Sequence, residues 1–438
     1  MKNALQPVLL AAAGAALLSL STPADAAAPT SGGGALRAGA ARVETTPAPA
    51  DLPLPYKSIH DPLFVRALVL DDGASRAAIV VMDAPTIASR ELADIQSRVA
   101  KETGAPLANV LVAVTHNHNA VRIDHVVEGV YLPGSPKITD FTIERTMTAV
   151  KQAVAKLQPA RAGFASGNTP LIGRRAMPRI AGGGAAEEEP FDRMLSVFKV
   201  ESTAGEPIAF LINSGMEPVI TQAAASEVSA DLAGAVERYV EKRYGDKPVA
   251  MYTVGSIASS YYNARSVGGG PAADPFAIVN AVGTLLGEDV LATAAQIKPS
   301  TEQKITARKR VLTCPGKETT PLNNPRTCSD APGSKLPRCV FTDKDAPPAD
   351  LQMGLLKIGD LRILQADANI TPPVWVRGKA GFPANTILVA LIYGPVRYVL
   401  EDSVYPGNGY QATASMVKPG CAAQGFIDNS AGMIDALR

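Results

Sequence analysis

A pair of histidines two residues apart is the feature of this sequence with the clearest chemical use. His116 and His118 stand at the end of an unbroken apolar run, and with His125 they place three of the chain's four histidines within ten positions. On extended backbone, an H-x-H spacing turns both imidazoles to the same side. Two neutral ring nitrogens this close suit a divalent metal ion or a proton relay in hydrolysis.

Two further apolar segments run into polar side chains in the same way. Residues 208–212 lead into Asn213 and Glu217, and residues 249–254 lead into a stretch rich in serine and tyrosine at 256–262. In open α/β sheets, ligand sites form beyond the carboxyl ends of the strands. We therefore expect the histidine pair and these side chains to share one site.

The elements that must position this site alternate between strands and helices. Strands are predicted at 63–70 and 76–82 (a hairpin), 110–115, 195–200, 208–212, 249–254, 351–358, 361–366 and 386–392, and helices at 91–102, 143–157, 229–244 and 275–295. No internal repeat occurs. The pattern predicts one large α/β domain with mixed β-sheets covered by helices and a β-rich last third.

The N-terminus predicts export. Residues 1–26 have the charge, apolar stretch and small-x-small site of a secretory signal peptide cut after Ala26, and residues 27–39 are predicted to be a disordered lead to a domain at 40–438. No later segment is judged long or apolar enough to span a membrane. A net charge of +1 without a long basic run argues against a nucleic acid partner. The oligomeric state is left open.

The four cysteines of an exported chain are expected to form disulfides, for which three connectivities are possible. Three of them lie in a loop at about 313–345 that is rich in proline, glycine and basic residues. The expected pairs are Cys314 with Cys328, around this loop, and Cys339 with Cys421. A cysteine zinc site is the less favoured alternative, because it requires closer paired spacing.

At the level of motifs, the sequence resembles the neutral/alkaline ceramidase family. The longest match is HDPLFVRALVL at residues 60–70, which is similar to the family's H-D-x-L-x-x-R-A-L-V-L strand. Shorter matches follow the family order: ARVETTP at 41–47, THNH at 115–118 (family T-H-T-H), GRR at 173–175 (N-R-R), SADL at 229–232 (S-A/G-D) and GNGY at 407–410 (G-G-Y). Together they extend from residue 41 to about residue 415.

The resemblance implies roles for individual residues. In the family, zinc is held by the first histidine of T-H-T-H, the histidine of an H-P pair, a glutamate and a tyrosine, while the second histidine and an arginine assist amide hydrolysis. Carried over, the metal ligands are His116 and Tyr410, and the assisting residues are His118 and Arg174. The H-P position is occupied by Glu217, and the glutamate position falls on Asn369.

The two changed positions still allow a metal site. Zinc accepts carboxylate oxygen as well as imidazole nitrogen, so Glu217 can replace a histidine. Asn369 is a weaker ligand, and Asp367, two residues earlier, is an alternative on the same side of an extended segment. Zinc is the expected cofactor, but this harder donor set also tolerates magnesium, manganese or calcium.

The nucleophile region departs further from the family. The family's G-D-[VI]-[SN]-P-N segment appears as ASSYYN at 258–263, with Tyr261 where some members carry serine, so Ser259 and Ser260 are left as candidates. The chain also ends soon after the G-G-Y region, without room for the family's C-terminal immunoglobulin-like domain. Ceramide is therefore less expected as substrate than another amide or ester.

The predicted function is an exported metal-dependent hydrolase of an amide or ester bond in a small or lipid-like substrate. In this hypothesis His118 moves the proton and Arg174 stabilises the negatively charged oxygen that develops. Two alternatives remain. One is a non-catalytic ligand-binding descendant of the ceramidase fold, and the other is a metal-independent esterase or lactonase built on the histidine pair and the serines.

Overall fold

The chain folds into alternating strands and helices, as its apolar pattern predicts. In the computed structural model, the described residues are Met1, 34–126, 134–174, 190–224, 226–257, 260–262, 274–318, 344–390, 394–407 and 410–437. Residues 33–438 form one compact unit. The predicted signal peptide falls outside the described residues apart from Met1.

Helices and strands alternate along the chain. The α-helices among the described residues are α1 Ser89–Thr103, α2 Pro136–Ala155, α3 Asp231–Lys242, α4 Pro275–Ala294, α5 Pro372–Lys379, α6 Tyr410–Ala414 and α7 Ala422–Asp435. The strands are β1 Arg37–Glu44, β2 Ser58–Ile59, β3 Phe64–Asp71, β4 Arg76–Met82, β5 Val110–Val114, β6 Gln158–Asn168, β7 Ile172–Arg174, β8 Met194–Ser202, β9 Pro207–Ser214, β10 Glu227–Val228, β11 Val249–Val254, β12 Ser260–Tyr262, β13 Ile305–Lys317, β14 Asp345–Ile358, β15 Leu361–Ala366, β16 Asn369–Ile370, β17 Thr386–Ala390 and β18 Tyr398–Val399.

Two mixed sheets dominate the architecture. The larger has eight strands in the order β11-β9-β8-β6-β1-β3-β4-β5, and the smaller has four in the order β13-β14-β15-β17. The pairs β4/β5, β9/β11 and β15/β17 are parallel, whereas their other neighbours are antiparallel. The smaller sheet comes wholly from the last third of the chain. The predicted mixed α/β class with a β-rich last third is confirmed.

Alternation of side chains along the strands gives the larger sheet two buried faces. On one face, Val65 of β3 packs in a cluster with Ile95 of α1 and Val150 of α2. On the other, Leu68 of the same strand packs with Ile363 of the smaller sheet. A third cluster joins the outer face of the smaller sheet to α5 and α7. The layers are therefore helix, sheet, sheet and helix.

Several predicted elements are confirmed closely because their ends carry local signals. The predicted hairpin is β3 and β4, which pair from Asp71 with Arg76. Helix α1 ends at Gly104, whose φ of 69° is the left-handed conformation that glycine adopts readily. Strand β1 begins at Arg37, three residues before the predicted domain boundary at residue 40.

Strand β11 is the last strand in the hydrogen-bonded order of the larger sheet, yet it lies beside β1, β3 and β4. We call the region between β11 and these three strands the seam. Helix α3 places two glutamates in it, Glu237 and Glu241, one turn apart. Glu237 Oε1 accepts a hydrogen bond from Tyr252 N at 2.8 Å, and Glu241 Oε1 accepts one from Ala250 N at 3.0 Å. Two amides at the sheet edge are thus bound by side chains instead of a neighbouring strand.

Arginines from the opposite side complete the seam. Arg66 of β3, 1 % exposed, forms ion pairs with Glu237 at 2.7 Å and with Asp83 at 3.0 Å. Arg42 of β1 pairs with Glu241. Burial raises the pKa of Glu237, and the charge of Arg66 opposes this rise. The charge network therefore joins β11 to β1 and β3.

The predicted disulfides are wrong. The bond in the structure joins Cys314 of β13 to Cys421, which precedes α7. The prediction favoured a local pair around the basic loop, but α7 packs against the smaller sheet and so brings Cys421 to β13. Cys328 and Cys339 lie outside the described residues.

Helix α4 also differs from expectation. Among the described residues, it is the one helix that length and composition would allow to cross a membrane. From the sequence, these two properties are not expected of any segment after the signal peptide. In the structure, Val279, Val282, Leu286 and Val290 of α4 lie in the core beneath the larger sheet, and core helices of water-soluble proteins meet the same two conditions.

Candidate metal centre

The histidine pair follows β5, and it does not lie on extended backbone as predicted. His116 has a φ of 61°, a left-handed conformation that non-glycine residues rarely adopt. Its amide donates to Ala84 O at 3.0 Å, which fixes this turn to the chain after β4. The two imidazoles stand perpendicular, with centroids 4.8 Å apart. Convergence of the rings therefore results from a tight turn and not from strand alternation.

The His116 ring is held so that one nitrogen faces the site. Its Nδ1 lies 2.6 Å from Pro85 O. A carbonyl oxygen can only accept, so Nδ1 carries a proton, and in the neutral ring the lone pair is then on Nε2. His116 is 1 % exposed, and the backbone and this hydrogen bond together set its tautomer and orientation.

Glu217 meets both histidines from the turn after β9. Its Oε1 lies 3.2 Å from His116 Nε2 and 3.9 Å from His118 Nε2, while the two Nε2 atoms are 3.5 Å apart. Among the described histidine, cysteine, aspartate and glutamate side chains, these three form the one group able to hold a metal ion, with ligand atoms within 4.8 Å of one another. The structure therefore brings together the two strand ends that the sequence placed at one site.

The loop that carries Glu217 is anchored by Asp231 and Asn119. Asp231 accepts hydrogen bonds from Thr221 N at 2.7 Å, from the Thr221 hydroxyl and from Ile220 N. Burial raises the pKa of Asp231, and these hydrogen bonds oppose the rise. Asn119 Nδ2 donates to the carbonyl oxygens of Thr221, Ala224 and Glu227 at 3.1 Å each. The SADL motif thus contributes support to the site.

The HD motif at 60–61 is also structural. Asp61 accepts hydrogen bonds from the Ser229 hydroxyl, from Ala230 N at 3.1 Å and from Arg238 at 3.0 Å. It therefore holds the start of α3, and with it Asp231.

His125, the third histidine of the group, lies apart from the candidate centre. Its Nδ1 is 2.7 Å from Glu91 Oε1, and its Nε2 is 3.1 Å from Asp140 Oδ1. These hydrogen bonds, first that with Glu91, raise the pKa of His125. The residue joins α1 to α2 by electrostatic contacts.

Asn369 and Asp367 differ in whether the side-chain oxygen already accepts a hydrogen bond. Asn369 is 1 % exposed, and its Oδ1 has no hydrogen-bond partner among the described residues. Asp367 accepts a hydrogen bond from Gln352 N at 2.9 Å and does not join the group of His116, His118 and Glu217. Burial raises the pKa of Asp367 to about 7. Asp367 is thus bound to the backbone at Gln352, and it stays an alternative to Asn369 as the proposed ligand.

For Arg174, Ser260 and Tyr410, the structure describes the backbone position only. Arg174 ends β7, where it pairs with Ser260 of β12, and Tyr410 begins α6. The side chains of these three residues, and Ser259 as a whole, fall outside the part of the chain that the structure describes. Asn213, by contrast, donates to Leu388 O at 2.9 Å and joins the two sheets.

Two residues that contact His118, Gln222 and Tyr56, were not predicted from the sequence. Gln222 Nε2 lies 3.3 Å from His118 Nδ1, and the Tyr56 hydroxyl lies 3.3 Å from His118 O. Neither residue belongs to a recognisable motif. Of the supporting residues, only Asn119 could have been singled out from the sequence, because it directly follows the histidine pair.

Comparison with known proteins places the fold. No protein-family model matches the chain, and no curated protein matches it by sequence. A solved structure of neutral ceramidase from Pseudomonas aeruginosa matches with a TM-score of 0.71 and 19% identity, over 92% of this chain and 74% of that chain. A structure of a ceramidase complexed with C2 matches with a TM-score of 0.70 and 20% identity, over 92% and 75%. The chain therefore has a neutral ceramidase-like fold, as the motif resemblance predicts.

Proposed function

We propose that this chain is an exported, metal-dependent hydrolase that cleaves an amide or ester bond in a small or lipid-like substrate. The observation that carries the proposal is the convergence of His116, His118 and Glu217 within 4.8 Å, in a fold similar to that of ceramidases. Export rests on the signal-peptide pattern of residues 1–26.

The donor set fits a divalent cation. His116 presents the lone pair of Nε2, because its Nδ1 proton is directed at Pro85 O. The Glu217 side chain is 7 % exposed, and a carboxylate in such a place is stabilised by a cation. Imidazole and carboxylate together are a common set for zinc, which is the metal we expect. Bound there, a divalent ion would polarise the scissile carbonyl and lower the pKa of a water molecule.

The other predicted site residues complete the proposal. Asn369 offers a buried Oδ1 without a partner among the described residues, which suits a neutral ligand. Tyr410 remains the proposed fourth ligand, and Arg174 remains the proposed group that stabilises negative charge on the substrate oxygen. For His118 we consider two roles, proton transfer and metal binding. Its contact with Gln222 bears on which role it takes.

The experiment that tests this proposal combines metal content with hydrolysis. Protein purified from the periplasm is analysed for bound metal, treated with a chelator, and tested on N-acyl amides, aryl esters and lactones. We expect about one equivalent of metal and chelator-sensitive activity that both His116→Ala and Glu217→Gln abolish. His125→Ala is the matched control and should keep both properties.

The competing functions give different results in the same experiment. Activity that survives the chelator but is lost in His116→Ala supports a metal-independent esterase or lactonase, because that alternative still uses the histidine pair. Absence of activity on every substrate, with a stably folded protein, supports the ligand-binding alternative. Either result would make the metal-dependent hydrolase wrong.

A further inference from the structure

We infer that His118 is a third metal ligand and that the Gln222 carboxamide orients it for this role. The inference rests on the proposed function, and it departs from the family resemblance, which assigns proton transfer to this histidine. It depends on the spacing of the three ligand atoms and on the groups that hold the two imidazoles from behind.

The three atoms have separations within a few tenths of an ångström of those that ligands of one metal ion require. His116 Nε2 lies 3.2 Å from Glu217 Oε1 and 3.5 Å from His118 Nε2, and the third separation is 3.9 Å. Zinc–ligand distances of about 2.0–2.2 Å at tetrahedral angles separate neighbouring ligand atoms by about 3.3–3.6 Å. The atoms thus stand close to three corners of a tetrahedron.

Both imidazoles are held through Nδ1, which directs both Nε2 atoms at the same place. His116 Nδ1 donates to Pro85 O at 2.6 Å, and His118 Nδ1 lies 3.3 Å from the Gln222 amide. Ligating histidines almost always donate their second ring N–H to an oxygen, which fixes the tautomer. The Gln222 Oε1 can be that oxygen, since a carboxamide carries its oxygen and its NH₂ group in nearly equivalent positions.

The Gln222 carboxamide can donate through its NH₂ group or accept through Oε1, and each role matches one state of the site, without or with a bound metal ion. Without an ion, the Gln222 NH₂ group donates to His118 Nδ1, and the proton on His118 Nε2 faces the acceptors on His116 and Glu217. With an ion bound, the other tautomer would apply: the proton would have moved from Nε2 to Nδ1, a rotated amide would accept it through Oε1, and the His118 Nε2 lone pair would be available to the ion. A leucine in place of Gln222 could favour neither tautomer.

Buried groups hold both residues of the Gln222–His118 contact in place. Thr221, which precedes Gln222, is fully buried and is bound through its amide to Asp231 at 2.7 Å and through its carbonyl to Asn119 at 3.1 Å. On the other side, the Tyr56 hydroxyl lies 2.9 Å from Ala120 O and 3.3 Å from His118 O, so it binds the backbone that carries His118. The structure therefore holds Gln222 and His118 in register, as an orienting contact requires.

The test measures zinc affinity by competition with a chelating dye, in the full chain and without substrate. We expect His118→Ala to lower zinc affinity by about 100-fold or more, and Gln222→Leu to lower it by about 10–100-fold. Gln222→Glu should keep or increase the affinity, because a carboxylate always accepts from Nδ1–H. The His125→Ala control should bind zinc as the wild type does, and circular dichroism establishes that each variant is folded.

A second readout follows the tautomer of His118 by ¹⁵N NMR of labelled histidines, with the resonance assigned by its loss in His118→Ala. We expect the proton on Nε2 in the metal-free protein and on Nδ1 after zinc is added. If the wild type binds zinc but His118→Ala binds it equally well, the inference is wrong and the proposed function stands. If the wild type binds no divalent metal, both are wrong.

Discussion

Replacement of Arg66 by methionine tests the charge network at the seam between β11 and β3. Arg66 is 1 % exposed, and its partners Asp83 and Glu237 have fully buried side chains. Loss of one partner of a buried ion pair costs about 3–5 kcal/mol, because the remaining charge is left in a medium of low polarity. Since two carboxylates lose their counter-charge here, we expect a loss of free energy of unfolding near the upper end of this range, about 5 kcal/mol.

The loss should also depend on pH. Burial already raises the pKa of Glu237, and removal of the arginine charge raises it further. A carboxyl group with a raised pKa in the folded state favours the fold while it is protonated, and this contribution is lost as pH rises through the folded-state pKa. The destabilisation of Arg66→Met should therefore be greater at pH 8.5 than at pH 5.5.

The assay is urea unfolding of the wild type, Arg66→Met and the double variant Arg66→Met/Glu237→Gln. The glutamine keeps an acceptor for Tyr252 N, so the double variant should regain part of the lost stability. Arg98→Met, which breaks an exposed pair with Asp94, is the matched control and should change stability by about 0.5 kcal/mol or less. A loss below about 1 kcal/mol for Arg66→Met, well outside the range for broken buried pairs, or a double variant no more stable than the single one, would refute this reasoning.

Three further predictions concern the candidate metal centre, His125 and the disulfide. Glu217→Gln should lower the metal content, measured by elemental analysis, more than Asn369→Ala does. Loss of a carboxylate leaves a divalent ion under-neutralised, whereas water can replace an amide oxygen. An equal effect of the two changes would count against Glu217 as the principal ligand. The raised pKa of His125 gives a stabilisation that is complete below the unfolded-state pKa, about 6.5, and is lost as pH rises through the folded value. His125→Gln should therefore reduce the fall in Tm between pH 6 and pH 8.5, and an unchanged profile would contradict this. Non-reducing peptide mapping should recover a Cys314–Cys421 peptide, and replacing both cysteines by alanine should lower stability by about 2–5 kcal/mol because 107 residues separate them; recovery of Cys314 linked to Cys328 would overturn the pairing.

The parts of the fold that the sequence predicts correctly are those with local signals. Alternating apolar residues gave β3 and β4, and Gly104 gave the end of α1. The order of short motifs predicted the fold itself, although neither the family models nor the curated proteins match this chain by sequence. In each case the information lies within a few residues or in their order along the chain.

The parts that escaped prediction depend on contacts between distant segments. The Cys314–Cys421 bond joins residues 107 positions apart and follows from the packing of α7, which the sequence does not encode locally. The convergence of His116 with Glu217 was predicted, but the left-handed turn that produces it was not. Gln222 could not be found, because an isolated glutamine in a loop has no signature until its neighbours are known.

The glutamate-filled seam has a consequence for association between copies of the chain. A strand at the edge of a sheet offers a row of amide and carbonyl groups to which another strand can add, and this is a common route to aggregation. On β11, Glu237 and Glu241 already bind the amides of Tyr252 and Ala250, and their charges disfavour the approach of a second backbone. Since a strand addition at this edge would have to displace buried carboxylates, the charge network that holds the seam also disfavours the addition of a second strand to β11.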